Sequence, residues 1–328
     1  MTSYLLRRVA YMVPTLLFIS FVSFIIIQLP PGDFLDSYVA GLAAEGVSID
    51  AEALRALQER YGLGDGFLVQ YWTWMSGILT HGDFGQSFGW NAPVASVMWE
   101  RVGLTFTLAI ATLFFIWSVA FPIGIYSAMR PYSIGDYVFT LVGFIGLAIP
   151  NFLFGLVLMY LSFAWFGQSV GGLFSLEFEE APWSLAKAAD LAGHLWIPMI
   201  VLGTSGATAL IRIMRANLLD EINKPYVVTA RAKGLSELHI IFKYPVRIAL
   251  NPFISTVGWV LPHLVSGSAI VSIVLSLPTM GPLLLRALTT QDMYLAGSFI
   301  LVTSVLTVIG TLLSDILLAL IDPRIRYE

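Results

Sequence analysis

The chain of 328 residues contains no cysteine. That absence removes a disulfide framework, a thiolate nucleophile and thiolate metal ligation together. Charge is nearly as scarce. Asp, Glu, Lys and Arg make up 12% of the residues and 57% are hydrophobic, where a soluble domain carries about a quarter charged. So few charges cannot cover a water-soluble globule of 36 kDa, which excludes a soluble enzyme and a disordered chain. A net charge of −4 leaves no basic footprint for DNA or RNA. No G-x-x-x-x-G-K-[ST] segment is present to cradle ATP phosphates. His81, His194, His239 and His263 lie far apart in sequence, so no metal site is predicted. Nor does spacing assemble a Ser-His-Asp arrangement, and a membrane enzyme lacks support on that ground.

What the sequence has in abundance is long apolar runs. Spanning a bilayer takes about 20 predominantly apolar residues per helix, and six stretches qualify: 9–29, 104–129, 137–165, 195–210, 253–277 and 294–321. The fourth is short and holds Gly203 and Gly206, which blurs its ends. Pro14, Pro122, Pro150 and Pro262 lie within or beside spans and should kink them. The first run follows Arg7 and Arg8 but is too long for a signal-peptide core. It ends in Gln28-Leu29-Pro30-Pro31-Gly32 without a small-x-small cleavage site, so a retained helix is expected.

Lys and Arg in the loops set the orientation. With six spans both termini share one side, which holds 12 basic and six acidic residues, net +6. The opposite side holds five basic and 14 acidic residues, net −9. Both termini are therefore expected in the cytoplasm. The sequence predicts an all-α integral membrane protein with six transmembrane helices. Residues 1–30 form the N-terminus and first helix, 31–103 a small external subdomain, and 104–328 a five-helix core. Within the subdomain, 50–61 reads as a helix with Ala53, Leu54 and Leu57 at helical spacing, N-capped from Ser48-Ile49-Asp50. A second external segment, 167–194, carries Glu177, Glu179, Glu180 and Trp183. Asp315 is the single clear charge within a span. Intramembrane carboxylates mark ion paths, but one alone fits helix packing better than proton coupling. The chain reads as a conduit without its own engine.

The largest cytoplasmic feature is the loop 211–252 between helices four and five. Met214 to Ile222 continues a helix, with Asp220 and Glu221 beside Lys224. Pro225 then opens a second short helix at its favoured first-turn position. That helix has a small face, Thr229, Ala230 and Ala232, and Gly234 breaks it. Ser236 to His239 opens a third, amphipathic helix running to Tyr244, with Leu238, Ile241 and Phe242 apolar. Two short helices around a glycine make a compact knob suited to a groove on another protein. The alternative is a basic loop lying on anionic lipid. Only four basic residues lie from Lys224 to Lys243, interleaved with apolar ones, which makes docking the more economical reading.

Thr229-Ala230-Arg231-Ala232-Lys233-Gly234-Leu235-Ser236-Glu237, with Tyr226 just before it, resembles the coupling loop of ABC-transporter permeases of the dipeptide/oligopeptide type. Arg7-Arg8 with Val13-Pro14-Thr15-Leu16, Pro31-Gly32-Asp33, and Gly82 to Ser87 are similar to the same family. So are Ile149-Pro150-Asn151-Phe152 and Asp322-Pro323-Arg324-Ile325-Arg326, in the family's order. Val228-Thr229-Ala230 stands where the general permease loop has a Glu-Ala-Ala-like triplet, so the acid is missing while Ala230 and Gly234 remain. The resemblance implies a heteromeric importer in a bacterial-type inner membrane. Its expected partners are a second homologous permease, one or two ABC ATPase subunits and an extracytoplasmic solute-binding protein. ATP and magnesium would bind the ATPases and no cofactor this chain. It implies the segment from Tyr226 to Glu237 as the ATPase-coupling site, with Ala230 and Gly234 permitting close approach. Relatives in this family carry peptides, oligosaccharides or nickel; peptide is the expected cargo and oligosaccharide the alternative. An ion-coupled secondary transporter is the more distant rival, and the near absence of intramembrane charge counts against it.

Overall fold

The computed structural model describes residues 2–28, 65–87, 89–167, 171–256 and 268–321. It is mostly helical. Helix α1 runs Thr2–Gln28 and α2 Phe67–His81. Two short strands follow, β1 Gln86–Ser87 and β2 Ala92–Pro93, antiparallel with Gln86 opposite Pro93. Then come α3 Val94–Met129, α4 Ile134–Ala148, α5 Asn151–Phe166 and α6 Leu185–Ile222. Three short helices follow: α7 Pro225–Ala232, α8 Glu237–Lys243 and α9 Pro245–Ala249. The described residues end with α10 Ala269–Val274, α11 Met280–Thr289 and α12 Met293–Ile321.

Helices α3, α6 and α12 are each long and apolar enough to cross a membrane, and α1 has a shorter apolar stretch, Ala10–Ile26. The expected third span is not one helix. It breaks into α4 and α5 with a bend of 104°. The cause is Pro150, which has no N–H to donate and forces Ile149 into an extended conformation, φ −83° and ψ 125°. Counted as one broken span, the pair makes a fourth. The expected fourth span, 195–210, is only the middle of α6. That helix starts ten residues earlier, in what the sequence suggests is an external loop, with Ser184 Oγ accepting from the backbone N–H of Lys187 at 3.2 Å. It also continues through 211–222, the first part of the expected cytoplasmic loop. Residues 257–267 of the fifth expected span lie outside the described residues, as do Pro262 and the expected helix 50–61.

The described residues form two compact units. One holds 2–28, 65–104 and 279–306. In it α2, absent from the sequence reading, packs on α1: Phe24 sits against the rings of Phe67, Tyr71 and Trp74. Ser20 and Tyr71 share a 2.8 Å hydrogen bond, and Gln28 donates to Gln70 at 2.6 Å. Buried Asp292 ties down the strand pair, accepting from Ser87 Oγ at 2.5 Å and Gly89 N at 3.1 Å.

The other unit holds the described residues from Thr105 to Pro278 and from Thr307 on, and it carries the candidate site. Its core runs along α6, where Ala207, Leu210, Met214 and Leu218 pack with Ile116, Ala120 and Ile125 of α3. The same core takes in Ile241, Val246, Ala249 and Phe253 from the segment after α6. The end of the longest helix is thus built into the same core as the short helices that follow it.

Candidate functional site

Helix α6 ends at Ile222, and only Asn223 and Lys224 separate it from α7. Pro225 opens α7 because its fixed φ suits a first turn and its missing N–H costs nothing there. Gly234 closes the helix at φ +78°, a left-handed conformation that a Cβ disfavours. Its N–H donates to Arg231 O at 2.9 Å, and the chain turns directly into α8. The result is a knob with a small core of its own: Val227 and Ala230 of α7 and Ile240 of α8, with Tyr244 packed against them.

Every residue from Arg231 to His239 is exposed, so the tip of the knob is one continuous surface. Among the site residues read from sequence, Arg231, Ala232, Lys233, Gly234, Leu235, Ser236 and Glu237 all lie there. Arg231 Nε donates to Glu237 Oε1 at 2.6 Å and Nη2 to Oε2 at 3.2 Å, bracing the turn. That hydrogen bonding holds the Glu237 carboxyl below its ordinary range and raises the Arg231 guanidinium. Thr229 is exposed, with its hydroxyl spent on Pro225 O at 2.9 Å. Tyr226 donates to Glu221 at 2.5 Å, and burial, with that carboxylate, pushes its phenol well up.

Two readings change. Ala230 does not lie on the face a partner could reach; it is buried between α7 and α8, where a small side chain lets the two helices approach. The apolar face of α8 also differs from Leu238, Ile241 and Phe242. The buried pair is Ile240 and Ile241, while Leu238 is 63% and Phe242 51% exposed. A seven-residue helix here serves two cores at once. Ile240 faces the knob's own core and Ile241 the main core around α6. Sequence spacing also missed Glu221 as a structural partner of Tyr226; the signal was an acid in the last turn of a helix, five residues before a tyrosine.

Gly234 allows a local test. A Cβ there would meet nothing within 4 Å, so any penalty is purely conformational. Gly234→Ala is expected to cost about 1–2 kcal/mol, and Gly234→Asn less, because asparagine tolerates this region. Hydrogen exchange across 225–244 should quicken in the alanine variant and much less in the asparagine one. Equal protection in both would remove the left-handed turn as the determinant.

Long apolar helices, one sharply broken pair, and a compact knob built onto the end of the longest helix are the architecture of a multi-pass membrane protein. Residues 120–327 match the family described as "Binding-protein-dependent transport system inner membrane component". Residues 1–109 match "Binding-prot-dependent transport system membrane comp, N-term". The chain belongs to this family of ABC-importer permeases. It is 36% identical over 331 residues to the oligopeptide transport system permease protein AppB of Bacillus subtilis (strain 168), covering 100% of each chain. It is 30% identical over 330 residues to the glutathione transport system permease protein GsiC of Salmonella choleraesuis (strain SC-B67), again over 100% of each. Identity is 29% over 364 residues to the peptidoglycan transport system permease protein YejB of Agrobacterium fabrum, covering 100% of this chain and 99% of that one.

Proposed function

We propose that this permease works as one of two homologous membrane subunits of an ATP-driven importer for a di- or oligopeptide, delivered by an extracytoplasmic binding protein. The peptide cargo rests on the oligopeptide, glutathione and peptidoglycan permeases that the chain resembles along its whole length. Six spans with both termini in the cytoplasm follow from the sorting of charge, +6 on one side and −9 on the other. One or two ATPase subunits, holding ATP and magnesium, dock on the knob from Tyr226 to Tyr244. ATP-driven closure moves the knob and rocks the spans between inward- and outward-facing packings, a rigid-body change between discrete states.

The observation that carries this reading is the tip itself. Residues 231–239 present Leu235 and Leu238 on an exposed, mostly polar surface. An exposed apolar pair on a braced surface, ringed by polar residues, has the layout of an interface core with a polar rim. Leu238→Glu tests it, because a 63% exposed side chain can be exchanged without disturbing either core. The variant is expected to reach the membrane folded. It should lose co-purification with the ATPases and reduce substrate-stimulated ATP hydrolysis roughly tenfold or more, the scale of a lost hot spot. Undiminished association would sink the docking assignment.

A further inference from the structure

The knob is joined to α6 in two ways. One is apolar: Ile241 sits in the main core with Met214 and Leu218. Apolar burial is non-directional and lets surfaces slide. The other is polar and directional. Glu221, in the last turn of α6, is buried. Its Oε1 accepts from Lys224 Nζ, and its Oε2 accepts from Tyr226 Oη at 2.5 Å. The two oxygens take different donors, which fixes the plane of the carboxylate. The two donors differ in what they hold. Lys224 is half exposed and belongs to the connection itself. Tyr226 belongs to α7, and its ring lies 6.3 Å from that of Tyr244, which closes the knob's core. Glu221 thus reaches across the non-helical joint at Asn223 and Lys224 and grips the knob beyond it.

We propose that Glu221 is the positioning residue that locks the knob to α6, so that movement of the knob reaches the membrane helix instead of being absorbed at the joint 223–224. This rests on the reading that the knob receives the ATPases. The lock engages a charged acceptor with a phenol donor, a combination stronger and shorter than a neutral hydrogen bond. Because the Tyr226 phenol is pushed up, it stays a donor across the physiological range. Without the lock the joint keeps only local backbone hydrogen bonds, Lys224 N–H to Glu221 O at 3.2 Å and Val227 N–H to Lys224 O at 2.9 Å, beside the apolar seat of Ile241.

Tyr226→Phe removes only the donor, and Glu221→Gln removes only the charge. In the complete reconstituted complex, Glu221→Gln, which lies on α6 outside the docking knob, is expected to keep ATPase association and basal ATP hydrolysis. Substrate taken up per ATP hydrolysed should fall about tenfold or more, the change from losing one hydrogen bond to a charged group. The double variant should be no worse than the poorer single, because both break one link. A second readout separates positioning from mere stability. The chain has no cysteine, so spin labels at Ala216→Cys on α6 and Ser236→Cys on the tip, both exposed, report the knob's orientation directly. A single narrow distance is expected with Tyr226 and a broad distribution with Tyr226→Phe. A narrow distance together with native uptake per ATP in both variants overturns the lock. If Leu238→Glu releases the ATPases while Tyr226→Phe behaves as native, only the lock fails. If Leu238→Glu leaves them bound, the docking reading fails and the label distances still decide the lock.

Discussion

Arg215→Met is expected to destabilise the protein by about 3 kcal/mol, the lower end of what breaking a buried ion pair costs. Asp136 stands in the first turn of α4 with a side chain only 5% exposed, and Arg215 lies on α6 at 27%. The guanidinium engages both carboxylate oxygens, Nε to Oδ1 at 3.1 Å and Nη2 to Oδ2 at 2.9 Å. Such bidentate geometry gives direction as well as energy. Oδ2 also accepts from the backbone N–H of Tyr132 at 2.9 Å. Tyr132 sits at φ +62°, a strained conformation for a tyrosine, and the Arg215 guanidinium lies 5.7 Å from its ring centre. One arginine thus supports the α3–α4 turn, the start of α4 and the register of α4 on α6. Methionine fills similar space but leaves a buried carboxylate without its cation, and that desolvated charge is the main cost. Asp136→Asn combined with Arg215→Met removes the orphaned charge and should recover much of the loss. Thermal melting of the detergent-solubilised chain, read as a double-mutant cycle, measures it. Strictly additive losses would mean that the two side chains stand together without holding each other.

How much of this was legible beforehand depends on how local each cause is. The position of α12 followed from hydropathy because its residues are apolar almost end to end, and so did α3 from residue 104 on, but its first turns, with Glu100 and Arg101, fell in the expected external subdomain. The true length of α6 did not, because its ends carry polar residues that an apolar window rejects. Those residues are held by partners outside the helix itself. Lys187 is buried, donating to the carbonyls of Ala181 at 2.7 Å and Glu179 at 3.3 Å, with the rings of Phe174 and Trp183 within 4.8 and 5.4 Å of its ammonium. Asp190 accepts from both the N–H and hydroxyl of Ser175. Arg212 and Arg215 close the other end. No periodicity announces such contacts. The break at Pro150 was foreseeable from proline's chemistry, but whether it gave a kink or a turn through 104° was not. In the knob, Pro225 and Gly234 marked the ends of α7 because their effects are local. Which of Leu238, Ile240, Ile241 and Phe242 turns inward depends on where two separate cores lie. That is tertiary information, and so is the pairing of Asp136 with Arg215, 79 residues apart.

Replacing two glycines of α4 with alanine is expected to destabilise the fold, against what helix propensity alone predicts. Alanine in place of glycine inside a helix normally gains about 0.5–1 kcal/mol. Gly143 and Gly146, however, mark where α4 meets α6. A Cβ on Gly143 would lie 2.8 Å from Cγ2 of Thr208, and one on Gly146 would lie 2.5 Å from Cγ2 of Thr204. Neither threonine is free to swing away. Thr204 donates to Ile200 O at 2.6 Å and Thr208 to Thr204 O at 2.9 Å, bonds that hold each side chain in its rotamer. The helices must therefore separate, and overpacking of this kind costs about 1–3 kcal/mol per site, more than propensity returns. Small residues permitting close backbone approach are how helices associate where lipid gives no hydrophobic drive between them. The sign of the effect can be reversed. With Thr204→Ala and Thr208→Ala, the nearest atoms left are the two Cβ positions, at 4.0 Å and 3.6 Å, ordinary contact distances. The quadruple variant should then melt above the Gly143→Ala, Gly146→Ala double. Failure of the threonine changes to restore any of the loss would show that the glycines are needed for something other than the approach of α4 to α6.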